Sequence, residues 1–278
     1  MFGNRFAIAI VGVCLAAVSA QGAPIAIDGY LGDWGVNVGD DNTTVISFAS
    51  DIGLLGTFTE DQDDHGGDGF LLGPNYGGQN YDAEMMAVAY QDSYLYISIL
   101  TGQRPDNGLK RYAPGDIYIE TSGGVYGIEV GGGVGGGAGS ALIAGDDGST
   151  YNLNAQGYVT TYGTTDSQQT AGSIWMGADW VPDPIDPYDP AQLSVNASSA
   201  MVGVADYIYT RDRDTSQHAV IELAFDLSVL GGEVIDYVRW TPSCGNDEAI
   251  VPVNAVPEPA TLTLMVLSVL GLVRRRTR

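Results

Sequence analysis

The feature that most constrains the fold is a series of short segments rich in β-branched and aromatic residues, each followed by turn-forming residues. Residues 84–90 and 94–101 flank a turn at Asp92-Ser93, and residues 115–121 and 125–130 flank a turn that contains two glycines. Segments of this length joined by short polar turns are typical of β-hairpins. The sequence therefore predicts an all-β protein of antiparallel strands, arranged as a two-sheet sandwich.

Further strands are expected at residues 25–27, 44–49, 201–210, 218–225 and 235–241. No composition shift divides residues 21–255, and a β-sandwich of about 235 residues can form a single domain. Sandwich cores bury large side chains from alternating strand positions. The aromatic residues expected in the core are Trp34, Tyr94, Tyr96, Tyr118 and Trp240.

The N-terminal residues 1–20 direct export. They contain Arg5, then an apolar run, then the small-residue pattern Val18-Ser19-Ala20. This order is typical of a secretory signal peptide. We expect signal peptidase to cleave before Gln21, with cleavage after Ala23 as the alternative.

The C-terminal residues 260–273 form an uncharged, mostly apolar run of 14 residues. As a helix this run would be roughly 21 Å long, shorter than the roughly 30 Å hydrocarbon core, so it would make a thin transmembrane helix. Four arginines follow at once, and positive charge beside an apolar segment stays on the cytoplasmic side. The residues before the run are therefore expected outside the cytoplasm.

Residues 256–278 resemble the PEP-CTERM sorting signal of Gram-negative bacteria. The resemblance rests on Pro257, Glu258 and Pro259, on the apolar run, and on the cluster Arg274, Arg275 and Arg276. In that family a membrane protease called exosortase recognises and removes the signal. The resemblance implies export through the inner membrane to the cell envelope, surface or extracellular matrix, with exosortase and signal peptidase as processing partners. An ordinary C-terminal membrane anchor is the alternative.

Residues 21–255, between the two terminal segments, are strongly acidic. They hold six of the 11 basic residues and 33 of the 34 acidic residues, which gives a net charge near −27. Such a charge repels nucleic acid and anionic membranes, so neither is expected as a partner. Two explanations remain: a solvated acidic surface, or binding of multivalent cations that relieve repulsion between carboxylates.

One short segment concentrates this negative charge. Its five acids are Glu60, Asp61, Asp63, Asp64 and Asp68. An EF-hand loop beginning at Asp61 fails, because its twelfth position is Leu72 rather than a bidentate glutamate. A looser calcium site built from these carboxylates is one hypothesis, and a solvated acidic loop is the other.

Residues 180–190 contain four prolines and three acids, together with the aromatic residues Trp180 and Tyr188. Proline fixes φ and removes a hydrogen-bond donor, so this segment is expected to be a rigid, extended loop. The loop is either a spacer or a rim that presents the two rings to the planar face of a sugar. Trp180 and Tyr188 are therefore the candidate ligand-binding residues.

Several short patterns resemble DOMON-like and related carbohydrate-binding β-sandwich domains. They are Ile27-Asp28-Gly29 followed by Asp33-Trp34, residues 92–97 followed by Gly115-Asp116, and residues 222–231. The resemblance implies a sandwich of jelly-roll or DOMON-like kind, with the tryptophan in the core. Residues 244–247, Cys-Gly-Asn-Asp, resemble a segment that often precedes the sorting signal in PEP-CTERM proteins.

Residues with catalytic potential are sparse. The chain has two histidines far apart and, without the signal peptide, the single cysteine Cys244, so no nucleophile–histidine arrangement is indicated. The glycine-rich residues 131–139 lack the following helix that a dinucleotide-binding loop requires. We predict no catalytic residues and no enzyme activity.

Together these patterns predict a surface-displayed or matrix-associated, non-catalytic protein that binds extracellular polysaccharide, with calcium as the candidate cofactor. One alternative is a structural component of the envelope or biofilm matrix without a discrete ligand. The other is a surface glycan hydrolase, since a glycosidase needs only two suitably placed carboxyl groups.

Overall fold

The computed structural model describes residues 24–39, 44–59, 82–102, 114–130, 142–144, 150–153, 159–160, 171–182, 190–211, 218–242, 245 and 247–253. These residues form β-strands and one 3-10 helix, Leu227–Leu230, without any α-helix, which confirms the all-β prediction. The strands in chain order are β1 (Val36–Asn37), β2 (Val45–Ile46), β3 (Leu54–Thr59), β4 (Ala83–Gln91), β5 (Tyr94–Thr101), β6 (Ile117–Thr121), β7 (Gly124–Ile128), β8 (Leu142–Ala144), β9 (Thr150–Leu153), β10 (Val159–Thr160), β11 (Ser173–Met176), β12 (Asp179–Pro182), β13 (Pro190–Ser194), β14 (Ala200–Val204), β15 (Asp206–Arg211), β16 (Ala219–Asp226), β17 (Ile235–Trp240) and β18 (Ala249–Pro252).

Eleven of these strands belong to two antiparallel sheets. The six-stranded sheet has the order β14-β11-β7-β6-β17-β18, and the five-stranded sheet has the order β15-β16-β5-β4-β3. The remaining strands form the pairs β1-β2 and β12-β13 and the small sheet β10-β9-β8.

The two large sheets share one hydrophobic core, as the predicted sandwich requires. Ile117 and Ile119 of β6 pack into the same cluster as Ile97 and Ile99 of β5, and none of the four is exposed. Trp240, at the end of β17, is also fully buried in this cluster, as predicted. Burying each such side chain stabilises the fold by roughly 1.5–3 kcal/mol, so the shared core holds the two sheets together.

The N-terminal segment, residues 24–38, covers the outer face of the five-stranded sheet and makes a second core there. Trp34 is fully buried, as predicted, but it lies in this second core, against Met85, Leu100 and Val220, rather than between the two sheets. Residues 25–27, which were expected to form a strand, are assigned to no strand. The five-stranded sheet is therefore apolar on both faces near the middle of β4.

The predicted hairpins are confirmed by the strand pairing. Asp92 and Ser93 join β4 to β5 with φ values of 49° and 75°, the backbone of a two-residue turn that matches the twist of paired strands. The strand predicted at residues 201–210 is instead divided between the two large sheets. The division falls at Ala205, whose backbone N–H leaves the strand ladder and donates to Gly172 O at 2.8 Å.

Candidate functional site

Most of the candidate site residues lie outside the described residues, and Trp180 is the exception. It lies on β12, paired with Leu193 of β13, so this part of the proline-rich segment is a strand rather than an extended loop. Tyr188, the acidic residues Glu60, Asp61, Asp63, Asp64 and Asp68, the signal peptide and the sorting residues 256–278 all lie outside the described residues.

The outer face of the six-stranded sheet carries polar and aromatic side chains beside Trp180. On β6, Ile117 and Ile119 point into the core, so Tyr118 and Glu120 point outward and are partly exposed. On β17, Val238 points inward, so Tyr237 and Arg239 lie on the outer face. The pairing places Tyr237 opposite Glu120 and Arg239 opposite Tyr118.

Trp180 reaches this face because the neighbouring strand has no side chain at the point of contact. Gly127 of β7 pairs with Tyr118. A Cβ atom on Gly127 would lie 2.5 Å from Leu193 Cδ1 and 2.7 Å from Trp180 Cζ2, closer than real side chains approach. The β12–β13 hairpin therefore packs on the sheet through Trp180 and Leu193, and only glycine leaves room for both.

Tyr118, Trp180 and Tyr237 form one aromatic cluster on this face. The ring centroids of Tyr118 and Trp180 are 5.1 Å apart with the planes tilted by 59°, and those of Tyr118 and Tyr237 are 5.8 Å apart and stacked at 17°. These separations fall within the range in which aromatic pairs attract each other. All three side chains are partly exposed, so the cluster is also accessible to a ligand.

One carboxylate oxygen holds the two tyrosines in place. Glu120 Oε2 accepts hydrogen bonds from Tyr118 Oη at 2.6 Å and from Tyr237 Oη at 3.1 Å. Partial burial, followed by the hydrogen bond to Glu120, raises the pKa of Tyr118 well above its ordinary value. Burial and then the charge of Glu120 raise the pKa of Tyr237 in the same direction. Both hydroxyls therefore stay protonated donors to a higher pH than ordinary tyrosines do.

An ion pair borders the cluster. Arg239 Nε lies 2.5 Å from Glu248 Oε1, with the arginine side chain buried and the glutamate partly exposed. The face thus combines partly exposed aromatic rings with carboxylate groups, while the guanidinium itself is buried. Such a combination can stack on the apolar face of a polyhydroxylated ring and accept hydrogen bonds from its hydroxyls.

Two of these aromatic residues were not predicted as ligand residues. The prediction that Tyr118 lies in the core is wrong, because the β-branched residues on either side of it occupy the core positions. Tyr237 was not predicted to have any role. The alternation Ile117-Tyr118-Ile119-Glu120 was the available signal for Tyr118, since Glu120 would not be expected to share a buried face.

Other buried carboxylates support the fold rather than a ligand site. Glu222 of β16 is fully buried; its Oε2 accepts from Gly29 N at 2.6 Å and Asp28 N at 3.2 Å, and its Oε1 accepts from Trp34 Nε1 at 2.9 Å. Burial outweighs these hydrogen bonds and raises the pKa of Glu222 to about 7. Glu222 therefore fixes the turn before Trp34, the same Asp-Gly and Asp-Trp pattern that was conspicuous in the sequence.

His218 and Asp116 also make buried polar contacts that support the fold. His218 Nε2 lies 2.7 Å from Glu84 Oε1, and both side chains are buried. The carboxylate of Asp116 accepts from Val130 N and Leu193 N, each at 2.7 Å, and so joins β13 to the six-stranded sheet. Within the described ranges, no group of three or more His, Cys, Asp or Glu residues could hold a metal ion.

The acidic and proline-rich segments are attached at the same end of the sandwich. Residues 60–81 precede β4 in the chain. Ala83, the first residue of β4, donates its backbone N–H to Asp247 Oδ2 at 3.0 Å. Asp247 O in turn accepts from Thr241 Oγ1 at 2.6 Å, just beyond β17. Asp116 N, at the neighbouring end of β6, donates to Ala191 O at 2.8 Å. Ala191 lies at the start of β13, which follows residues 183–189 in the chain. Loops often cluster at one end of a sandwich in this way.

Comparison with known proteins identifies the C-terminal segment. Residues 255–277 match the family model described as the PEP-CTERM protein-sorting motif. The match confirms the sorting prediction: it supports an exosortase substrate, exported to the cell envelope or surface. Comparisons with curated proteins and with solved structures give no significant match. Among the residues that the structure describes, no helix is long and apolar enough to span a membrane.

Proposed function

We propose that this exported protein is a non-catalytic module that binds extracellular polysaccharide through the aromatic cluster of Tyr118, Trp180 and Tyr237. The observation that carries the proposal is the presence of three adjacent, partly exposed rings on one sheet face, with Glu120 between two of them. Its first support is that these rings are held by the sheet and by a paired hairpin. A prearranged surface loses little conformational entropy when a ligand binds.

The chemistry of this face selects among ligand classes. Aromatic rings attract the C–H-bearing face of a pyranose, and carboxylate groups accept hydrogen bonds from its hydroxyls. The charge near −27 on residues 21–255 disfavours polyanions such as nucleic acids. A neutral or weakly charged polysaccharide therefore fits the cluster best.

The rest of the proline-rich segment is proposed to extend this surface. Residues 183–189 follow β12 in the chain and contain the sequence-predicted ligand residue Tyr188. The ring of Tyr188 is proposed to add to the same surface. The prediction for Tyr188 rests on sequence alone and needs its own variant.

The proposal is tested by affinity electrophoresis of residues 21–255, which contain every described strand, in native gels that include soluble polysaccharides. A binding polysaccharide slows the protein. Trp180→Ala and Tyr237→Ala should weaken the retardation by about tenfold in dissociation constant, equivalent to about 1.4 kcal/mol. Tyr188→Ala tests the extension. Tyr94→Ala, on the outer face of the other large sheet and 39% exposed, is the matched control and should bind normally.

Retardation that survives both Trp180→Ala and Tyr237→Ala would refute the aromatic cluster as the binding surface. A lack of retardation in every gel would favour the structural envelope or biofilm-matrix component. Release of new reducing ends from a retarding polysaccharide would favour the glycan hydrolase. Each of the three functions thus predicts a different result.

Calcium is proposed as a cofactor on the basis of the acidic residues 60, 61, 63, 64 and 68. Its support is their charge density, together with the net charge of the chain that contains them. The segment is attached at the same end of the sandwich as the proline-rich segment. Calcium there would reduce the repulsion that opposes an ordered loop.

The remaining details of sorting and kinship are also proposals. We propose that residues 260–273 insert as a thin transmembrane helix and that signal peptidase removes residues 1–20 in a Gram-negative host, which delivers the protein to the extracellular matrix or surface. Kinship with DOMON-like or jelly-roll domains is proposed from the sequence patterns. The burial of Trp34 beside the turn at Gly29 supports that kinship without identifying the family.

A further inference from the structure

A cleft lies on the side of the molecule opposite the aromatic cluster, at the outer face of the five-stranded sheet. It has a volume of about 510 Å³, within the range of small-molecule sites. Ile25 and Ile27 of the N-terminal segment line it together with Tyr94 and Tyr96 of β5 and with Asp206. None of these residues belongs to the aromatic cluster described above.

The cleft exists because a small residue lies between two larger ones. Ala224 of β16 pairs with Asp206 on one side and with Tyr96 on the other. The next outward-pointing residue on the same strand, Glu222, is covered by the turn at Asp28 and Gly29. The N-terminal segment therefore covers the sheet up to Glu222 and leaves the row of Ala224 as the floor of the cleft.

Two aromatic rings form one wall of this cleft. The centroids of Tyr94 and Tyr96 are 6.4 Å apart and their planes are inclined at 46°, and 39% of Tyr94 is exposed. Two rings at this inclination form a corner rather than a flat platform. A compact, rounded group can contact both ring faces in such a corner.

The electrostatic potential in the cleft is negative. Burial, followed by the charge of Asp92, the neighbouring Tyr94 and the charge of Asp206, raises the pKa of Tyr96 above its ordinary value. The carboxylates of Asp92 and Asp206 therefore act on the same ring. The faces of aromatic rings also carry partial negative charge, so rings and carboxylates favour the same kind of ligand.

We propose that this cleft binds a small organic ammonium ion, with its positive group against the Tyr94 and Tyr96 rings and paired with Asp206. A cation over a tyrosine ring is attracted by the negative charge of the ring face, and more strongly as the site becomes drier. The apolar substituents of the ion contact Ile25 and Ile27. A neutral molecule of the same shape gains only the apolar contacts, and an anion is repelled.

Choline and its uncharged analogue 3,3-dimethylbutan-1-ol are a matched pair of probes, since they differ mainly in charge. Residues 21–278, kept in a nonionic polyoxyethylene detergent at constant ionic strength, are titrated with each probe and followed by saturation-transfer NMR. Choline is expected to bind about tenfold more tightly than the alcohol. Equal binding of the two, or no choline binding at 100 mM, overturns the proposal.

Two variants locate the site and one serves as control. Tyr96→Leu should weaken choline binding about tenfold, and Asp206→Asn, an isosteric change at an exposed residue, about threefold. Binding of the alcohol should change much less in Asp206→Asn. Tyr237→Leu, in the aromatic cluster of the other sheet, should bind choline normally. Normal binding in Asp206→Asn and Tyr96→Leu would place choline elsewhere and contradict the proposal.

Discussion

Glu222 gives the sandwich a stability that depends on pH, and its sign and size follow from the structure. The pKa of this buried carboxyl is about 7 in the folded protein, against an ordinary value of 4.5. Between these values the folded state keeps a proton that the unfolded state has lost, so the unfolded state is favoured increasingly as pH rises. The difference between these two pKa values corresponds to about 3 kcal/mol, so the contribution to stability is full below pH 4.5 and is lost as pH approaches 7.

The perturbation is Glu222→Gln, which cannot ionise. The glutamine oxygen can accept from Gly29 N and Asp28 N, but its amide group then faces the indole N–H of Trp34, another donor, so the variant should be less stable at pH 5. The free energy of unfolding of both proteins is measured in urea from pH 4.5 to 8. Subtracting the value of the variant from that of the wild type cancels the contributions of the other acids, because both proteins contain them. The stability gap between wild type and variant should shrink by about 3 kcal/mol as pH rises. A gap that stays constant over this pH range would show that the pKa of Glu222 is not raised in the folded protein.

Three further predictions concern other parts of the chain. Gly127→Ala should destabilise the protein by about 1–3 kcal/mol in urea unfolding, because the added Cβ overlaps Trp180 and Leu193. Gly124→Ala on the same strand should not destabilise it, because a Cβ there meets nothing within 4 Å. Equal effects of the two substitutions would contradict the packing described for Trp180. Calcium at a hundredfold excess over its dissociation constant should stabilise the folded protein by about 2.7 kcal/mol, and a melting curve identical in calcium and in chelator would argue against a site at residues 60–68. Protein isolated from its native host should lack Arg274, Arg275 and Arg276 by intact-mass analysis, and an intact C-terminus would mean that the sorting signal is not processed.

The hairpins could be predicted from the sequence because their signals are local. Asp92-Ser93 and Ser122-Gly123 are turn-forming residues between two β-type segments, and such turns determine which strands pair. The burial of Trp34 and Trp240 could be predicted as well, because tryptophan side chains are mostly buried on average. That Trp34 lies in the second core rather than between the sheets could not be predicted.

The positions of the tyrosines required knowledge of which strand face is covered. Tyr94, Tyr96 and Tyr118 alternate with aliphatic residues, so either set could have faced inward. The aliphatic set occupies the shared core on both β5 and β6, so the prediction that these tyrosines lie in that core is wrong. Tyr96 packs instead, partly buried, against the second core. The aromatic residues consequently appear on the outer faces, where both proposed ligand sites are found.

The contact between Trp180 and Gly127 has no local signal at all. The two residues are 53 positions apart in the chain and meet only after β12 and β13 have paired and packed on β7. A lone glycine in a strand indicates a close approach by some other group, but it does not identify that group. Trp180 was therefore predicted as a ligand residue from its proline-rich setting, without its partners on the sheet.

The indole N–H resonances of the four tryptophans can show whether sugars bind at the aromatic cluster. Oligosaccharides from a retarding polysaccharide are titrated into labelled protein, and the Trp180 resonance is assigned with Trp180→Phe. The Trp180 resonance should shift with saturation, while those of the fully buried Trp34 and Trp240 should not. A saturating titration in which the Trp180 resonance stays in place would contradict binding at the aromatic cluster.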